Sequence, residues 1–222
     1  MWRDAALMAG KDLRIEARSR VATNQVAPFA VIVLVLFGFA LEPDRNFLQT
    51  AAPGLFWVAV LFCSVLAVQR SFAVEAADAA GDGLRMSGLD PAGIFLGKAA
   101  AVALELAALE ALLAVGIVVF YSTSLTGVAL LLATAAVATI GLAACGTLYG
   151  VLAAGLRVRE TLLPLLILPV VAPVLIGATR AWEVALGQSL DDGWKWVTLL
   201  AVFAVVYVTL GVLAFGTLLE EA

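Results

Sequence analysis

The sequence predicts an all-α integral membrane protein with six transmembrane helices, preceded by an N-terminal amphipathic interfacial helix. Hydrophobic residues make up 64% of the 222 residues and charged residues 14%, whereas soluble domains have roughly 45–50% and 25%. The mean hydropathy is +1.07. The apolar residues also fall in runs that approach or exceed the roughly 20 residues needed to cross a bilayer. We therefore expect a single transmembrane domain over residues 1–222 and no soluble domain.

Residues 1–24 form the predicted interfacial segment. Apolar and small residues recur every three to four positions from Trp2 to Ala17, with charged residues between them. This pattern is typical of an amphipathic helix that lies along a membrane surface. The alternative is an ordinary soluble helix that leads into the first span. Because no small-residue cleavage site follows, we expect the first apolar run to be retained.

Six apolar runs predict the transmembrane helices, with spans 1 and 2 within residues 25–68 and spans 3–6 within residues 99–218. The runs are Gln25 to Leu41, Ala51 to Val68, Ala99 to Tyr121, Leu125 to Leu156, Thr161 to Thr179 and Trp194 to Leu218. The fourth is longer than one crossing needs, so we expect it to be tilted or trimmed. The fifth contains Pro164, Pro169 and Pro173, each of which removes a backbone donor. We expect this helix to be kinked or broken and to face the bundle interior.

Lysine and arginine predict the orientation. Ten of the 13 basic residues lie in the N-terminal segment, in the connection 69–98 and after the fourth span. The others are Arg45, Arg180 and Lys195, on the opposite side. By the positive-inside rule, both termini and residues 69–98 are cytoplasmic, in a multi-pass protein of the cytoplasmic (inner) membrane. Trp182 and Trp194, with Trp196 just beyond, then fall at the opposite interface, where aromatic residues are enriched.

The connection 69–98 is the longest polar interruption between spans. We expect a charged helix over Ser71 to Ala80, a turn at Gly81 to Gly83 and an amphipathic piece before Pro91. A soluble partner could hold such an element and transmit force to spans 2 and 3; the alternative is a solvated connector. The residues expected at this contact are Arg70, Phe72, Glu75, Asp78, Asp82, Leu84, Arg85 and Asp90.

Two carboxylates, Glu105 and Glu110, lie well inside span 3. At ~1.5 Å per residue they fall about 10 and 18 Å beyond Lys98. Intramembrane carboxylates cost roughly 2.5–3.5 kcal/mol on insertion scales and usually face a bundle interior, a cavity or a partner. Glu110 is therefore protonated, in contact with water, or bonded to a hydroxyl group or a second subunit. Its role is either structural or one in translocation or subunit contact.

Small residues inside span 4 indicate close packing. Gly146 and Gly150 form a pair that lets another backbone approach. They either pack inside the bundle or form a moving or subunit-facing contact. Cys63 and Cys145 both lie in apolar runs, so we expect free thiols that pack as small hydrophobic residues.

Catalytic, metal-binding and nucleotide-binding motifs find no support. Histidine is absent from all 222 residues, which removes the commonest metal ligand, haem ligand and general base. Gly93 and Gly97 precede Lys98, but their spacing is one residue short of a phosphate-binding loop, and Ala99 replaces its Ser or Thr. There is no basic stripe suited to nucleic acid. We expect no catalytic residue, no metal and no cofactor bound by this chain.

The order of several short motifs carries a family resemblance. These motifs are Lys11 to Arg20, Ala52 to Ala59, Gln69 to Phe72, Gly83 to Lys98, Gly155 to Arg157 and Leu168 to Ile176. Their joint order resembles the CcmB family, the permease subunit of the cytochrome c maturation ABC transporter, or haem exporter. The resemblance covers essentially the whole chain. It departs from the family after Phe72, where this chain has the alanine-rich VEAADAAGDG.

The resemblance implies an ABC-2 (type II) exporter-like permease, a non-catalytic transporter subunit. It implies a separate CcmA-like subunit that binds ATP and Mg²⁺, a haem-handling CcmC-like membrane subunit, a CcmE-like haem chaperone, and haem as the cargo. By carry-over, Arg70 to Asp90 would contact the ATPase. One alternative is a generic ABC-2-type permease that exports a lipid, polyketide or drug. An intramembrane enzyme is a third interpretation, but Glu105 and Glu110 would point about 140° apart on a helix.

Overall fold

A computed structural model describes residues 1–20, 22–40, 45–77, 88–123, 125–154 and 159–221. Within them the chain forms seven α-helices: α1 (Trp2–Ser19), α2 (Ala27–Ala40), α3 (Arg45–Ala77), α4 (Pro91–Tyr121), α5 (Val128–Ala154), α6 (Arg159–Ala185) and α7 (Gly193–Glu221). A π-helical turn, Ala22–Val26, leads directly into α2. The described residues contain no β-strand, and the predicted all-α fold class is confirmed.

Helices α3 to α7 are each long and apolar enough to cross a membrane. The 14 residues of α2 extend only about 21 Å at 1.5 Å per residue, less than the ~30 Å hydrocarbon core. A sixth crossing therefore arises only when α1 and the helix that follows it are counted together as one bent span. With five or six candidate crossings, the chain is a multi-pass membrane protein.

Helix α3 is longer than the span predicted over Ala51 to Val68. Its 33 residues measure about 50 Å, some 20 Å more than the hydrocarbon core. The described part of the predicted charged helix, as far as Ala77, belongs to the same continuous helix as the span. Arg70 and Phe72 therefore lie on the helix that crosses the membrane.

Helix α6 is uninterrupted from Arg159 to Ala185 and contains Pro164, Pro169 and Pro173. The helix is therefore not broken, because the remaining backbone hydrogen bonds sustain it, as transmembrane helices commonly allow. A kink at the prolines stays a prediction. Only one face of α6 turns inward, through residues such as Val171. Pro169 and Pro173 are exposed, and Pro164 is half-buried, so the prolines do not face the bundle interior.

The bundle core contains a cluster of three aromatic rings. The ring of Trp182 stacks on that of Phe56 at a centroid distance of 4.0 Å and meets Trp57 edge-on at 5.6 Å. The indole of Trp182 therefore packs between helices, whereas Trp194 is 53% exposed. The aromatic belt at the membrane interface stays a prediction. Cys63 and Cys145 are buried free thiols, as predicted.

Helix α5 packs against α3, α4, α6 and α7. Its two small residues face α3: a Cβ atom on Gly146 would lie 2.5 Å from Cγ2 of Val68, and one on Gly150 would overlap the ring of Phe72. This geometry favours the first of the two alternatives for the glycine pair, packing inside the bundle.

Candidate functional site

The charged residues of α1 meet the end of α3 and the beginning of α4. We call this region the polar junction and define it by Asp12, Glu16, Arg70, Ser71 and Lys98. Asp12 and Glu16 are four positions apart and therefore lie on one face of α1. Each of these carboxylates pairs with a cation from a different helix.

Arg70 joins α3 to α1. Its Nε atom lies 2.6 Å from Oε2 of Glu16, and its Nη2 atom donates to Oγ of Ser19. The Arg70 and Glu16 side chains are 19% and 18% exposed. Charges held this far from solvent are screened by salt less than surface charges are. The pair therefore constrains the orientation of α1 relative to α3.

Lys98 joins α4 to both other helices although its side chain is only 1% exposed. Its Nζ atom lies 3.4 Å from Oδ2 of Asp12 and donates to Oγ of Ser71 at 3.1 Å. The ammonium group also lies 4.7 Å from the ring centroid of Phe72. A buried charge requires such compensation, because an uncompensated one costs several kcal/mol. Lys98 therefore connects three helices at one point.

Two glycines let α1 approach α4 closely enough for these pairs to form. A Cβ atom on Gly97 would lie 2.6 Å from both the Ala5 carbonyl oxygen and Cβ of Met8, and one on Gly93 would lie 2.8 Å from the Met1 carbonyl oxygen. Residues four apart occupy one helix face, and small residues there allow backbones to approach. The glycines that resembled an incomplete phosphate-binding loop therefore act in helix packing.

Asp90 fixes the beginning of α4. Its Oδ1 atom accepts a hydrogen bond from the Ala92 backbone N–H at 3.1 Å, with Pro91 in the first turn. Its own backbone N–H donates to Oδ2 of Asp4 at 3.3 Å. The Met1 ammonium group lies 3.2 Å from Asp4 and 3.4 Å from Asp90. A hydrogen bond from this ammonium group lowers the pKa of Asp4 from its ordinary value.

The structure brings part of the predicted contact region together at this junction. Arg70 and Phe72 lie in it or directly beside it, whereas Asp90 contacts Asp4 about 12 Å before Lys98 along α4. Glu75 lies farther along α3, and its side chain is outside the described residues. The remaining predicted contact residues also lie outside the described residues: Asp78, Asp82, Leu84 and Arg85. Both ends of the segment 70–90 are therefore held by α1, one at Glu16 and the other at Asp4, about 18 Å apart along that helix.

Comparison with known proteins gives a consistent result. The family model described as "CcmB protein" matches residues 4–221. The chain belongs to the CcmB family. Relatives named "Heme exporter protein B" include those of Paracoccus denitrificans, 30% identical over 77% of this chain and 78% of the relative, and of Haemophilus influenzae, 30% identical over 95% and 94%. The Pseudomonas aeruginosa protein of that name is 28% identical over 82% and 81%.

Membership of the CcmB family confirms the resemblance that the order of short motifs indicated. The match from residue 4 to residue 221 includes every member of the polar junction. The chain is therefore a transporter component of the kind that this family comprises. Its charged contacts between helices lie inside the region that the family model matches.

The two intramembrane carboxylates of this CcmB-family chain face different helices. Glu105 lines a small cavity at the polar junction, together with Glu16 and Arg70. Its Oε1 atom is buried without a hydrogen-bond partner among the described residues. Glu110, five positions later, faces α5 instead. The two side chains therefore point in different directions, as their five-residue spacing on a helix predicts, and they do not form a catalytic pair.

Glu110 is 6% exposed and bonds to a hydroxyl group. Its Oε1 atom lies 2.6 Å from Oγ1 of Thr139, which is also 2.7 Å from the carbonyl oxygen of Ala135. A hydroxyl group has one proton, and a carbonyl oxygen can only accept. Both contacts are full hydrogen bonds when Thr139 donates to Ala135 and a protonated Glu110 donates to Thr139. A hydroxyl partner is therefore the alternative that the geometry supports.

Sequence reasoning missed four members of the junction, which are Asp12, Glu16, Ser71 and the buried Lys98. A signal was present in the four-residue spacing of Asp12 and Glu16 on the predicted interfacial helix. The small-residue pair directly before Lys98 was a second signal. Neither identifies which cation pairs with which carboxylate, because that depends on how the helix ends meet.

Proposed function

We propose that this chain is the permease subunit of an ABC transporter complex for cytochrome c biogenesis. In this proposal, a separate CcmA-like subunit hydrolyses ATP, and the chain couples that hydrolysis to haem delivery or to release of a CcmE-like haem chaperone. A CcmC-like membrane subunit handles haem beside it. The name of the curated relatives, heme exporter protein B, supports haem as the cargo.

The observation that carries the proposal is the anchoring of segment 70–90 at both ends. Arg70 is tied to α1 through Glu16, and Asp90 is tied to α1 through Asp4. Helix α3 with 33 residues and helix α4 with 31 are each roughly 50 Å long. A displacement applied between residues 78 and 87 would therefore reach two long membrane helices and α1 together. This is the property that a contact with a motor subunit requires.

The distribution of basic residues supports a cytoplasmic position for the polar junction, with both termini on that side of the inner membrane. Arg70 and Lys98 lie at this end of the bundle, and ten of 13 basic residues fall on this side in the sequence. A fluorescent protein fused after residue 222 should fluoresce, whereas alkaline phosphatase fused there should be inactive. Active phosphatase at that position would reverse the orientation.

In the proposal, haem is cargo and is not a resident cofactor of this chain. With no histidine among the 222 residues, the commonest axial ligand of haem iron is missing. The purified chain is expected to show no stoichiometric Soret band. A bis-histidine-like spectrum from this subunit alone would overturn that expectation.

The test is covalent haem staining of c-type cytochromes in a strain that lacks this gene and carries a plasmid-borne copy. One copy is wild type, one has residues 78–87 replaced by a glycine-serine sequence of equal length, and a control has residues 188–191 replaced in the same way. We expect wild type and control to restore staining and the 78–87 variant to fail, at equal chain abundance and with apocytochrome still made. Undiminished staining in the deletion strain would instead favour a generic ABC-2-type exporter.

A further inference from the structure

A groove of about 460 Å³ opens on the outer surface of the bundle between α4 and α5, and we call it the α4/α5 groove. Its rims include the exposed side chains of Leu104, Leu132 and Ile140, and Trp182 also lines it. It lies at membrane depth, because Glu110 in its lining is about 18 Å along the helix from Lys98.

Alanine contributes six of the sixteen residues that line the α4/α5 groove. On α4 the alanines follow helical spacing along a single face. They are Ala103, Ala107, Ala111 and Ala114, with Ala135 and Ala136 on the α5 side. Small side chains at such spacing let the backbone of another transmembrane helix approach closely. The groove extends over about 17 Å of α4, or roughly three helical turns.

A polar group lies among these apolar walls. Glu110 lines the groove yet is 6% exposed. Its Oε1 atom bonds to Thr139, whereas its Oε2 atom has no hydrogen-bond partner among the described residues. Acyl chains offer no hydrogen-bonding group at this depth, where an unsatisfied polar group costs several kcal/mol. The groove therefore calls for an occupant that is mostly apolar and carries one hydrogen-bonding group near the midplane.

We propose that the α4/α5 groove holds a transmembrane helix of another subunit of the complex. The contacting face of that helix carries small residues, with a Ser, Thr, Asn or Gln side chain level with Glu110. A second copy of this chain fits poorly, because a two-fold contact would set two concave surfaces against each other. The inference rests on the proposed function, which places the chain in a multi-subunit membrane complex.

Filling the groove tests the proposal. Ala107→Leu and Ala111→Leu each place a larger side chain in the groove. Ala108→Leu makes the same change at an exposed position of α4 that does not line the groove. Each tagged full-length chain is purified from native membranes with its bound subunits. We expect the amount of one membrane subunit that co-purifies with the groove variants to fall at least tenfold, whereas the ATPase still co-purifies with them. Ala108→Leu should retain both subunits.

The outcomes separate this inference from the proposed function. If wild type brings down no ATPase, the proposed function fails. If the ATPase co-purifies and the groove variants keep every membrane subunit, the groove inference fails. Glu110→Gln is expected to keep the membrane subunit and Glu110→Leu to lose it, because an amide retains hydrogen-bonding groups. Equal retention by both would overturn the polar part of the proposal.

Photo-crosslinking provides a measurement that does not depend on disrupting the groove. A benzophenone amino acid replaces Leu132, which lines the groove, or Leu112, which is exposed on α4 outside it. We expect position 132 alone to crosslink the membrane subunit that the groove variants lose. Crosslinks from 132 to a second copy of this chain, or to lipid only, would overturn the proposal.

Discussion

The two ends of the helical bundle are held together by different interactions. At the polar junction, Lys98 and Arg70 each pair with a carboxylate of α1, and both cations are largely buried. At the opposite end, the helices are linked by neutral groups. Gln49 donates to the Ser122 carbonyl oxygen at 3.1 Å, and Thr126 donates to that of Ala185 at 2.7 Å.

An ion pair is present at the second end, but it does not join helices. Arg180 lies 2.8 Å from Glu183 three positions later in the same helix, and its side chain is 59% exposed. An exposed pair contributes at most about 1 kcal/mol, whereas losing one partner of a buried pair costs roughly 3–5 kcal/mol. The same chemistry therefore stabilises a single helix surface at one end and fixes the arrangement of three helices at the other.

The largest expected effect comes from removing the buried cation. Lys98→Met removes the ammonium group from Asp12 and Ser71, although Lys11 remains 3.1 Å from Asp12. The loss of two hydrogen bonds to a charged group should destabilise the protein by roughly 3 kcal/mol. At about 2–4 °C per kcal/mol, the midpoint of thermal unfolding should fall by on the order of 10 °C. A thiol-reactive dye can follow unfolding because Cys63 and Cys145 are buried.

Arg180→Met provides the matched control for Lys98→Met, since it removes a cation from the exposed pair. It should shift the unfolding midpoint by only about 2–4 °C or less. Similar shifts for the two variants would contradict the difference between the two ends.

A smaller effect is expected when α1 is forced away from α4. Gly97→Leu introduces a side chain where even a Cβ atom would lie 2.6 Å from the Ala5 carbonyl oxygen. Overpacking of this kind costs about 1–3 kcal/mol. This cost corresponds to a roughly 5- to 150-fold shift in the equilibrium between α1 packed against α4 and α1 detached from it. Trypsin should then cleave α1 at Arg14 and Arg18 faster.

Gly10→Leu is the control for Gly97→Leu, because nothing lies within 4 Å of a Cβ atom at Gly10. Its cleavage rate should match that of the wild type. If Gly97→Leu is cleaved no faster than this control, close packing does not hold α1 in place.

The smallest effect is expected at the neutral end. Gln188 donates to the Gln49 carbonyl oxygen at 2.8 Å, and Gln188→Ala should cost roughly 0.5–1.5 kcal/mol because it removes one neutral hydrogen bond. Covalent haem on c-type cytochromes should be unchanged in a strain that carries this variant. Loss of staining at normal chain abundance would show that the neutral end also takes part in coupling.

The fold was largely predictable because hydrophobic runs of bilayer length leave few alternatives to helices. The errors lie where helices continue past the apolar run. Residues 69–77 and 180–185 are polar or mixed, yet they extend α3 and α6. The prolines did not break α6, because a single missing hydrogen bond does not end a packed membrane helix.

The polar junction was only partly predictable. Arg70 and Asp90 were expected at a contact region because they are charged residues in the longest polar interruption. Their partners Glu16 and Asp4 could not be identified, since pairing depends on the crossing position of α1 over α4. Gly93 and Gly97 determine that position through close packing, and their spacing alone is compatible with other roles.

The central claim is that the Glu16–Arg70 pair makes α1 and α3 act as one unit in coupling. The most direct measurement compares covalent cytochrome haem per membrane-inserted chain in wild type, Glu16→Gln, Arg70→Gln and the double variant. We expect each single variant to lose activity on the order of tenfold, which corresponds to about 1.4 kcal/mol. The double variant should be no worse than either, because both changes break the same interaction. Full activity in the single variants, or losses that multiply in the double variant, would contradict the claim.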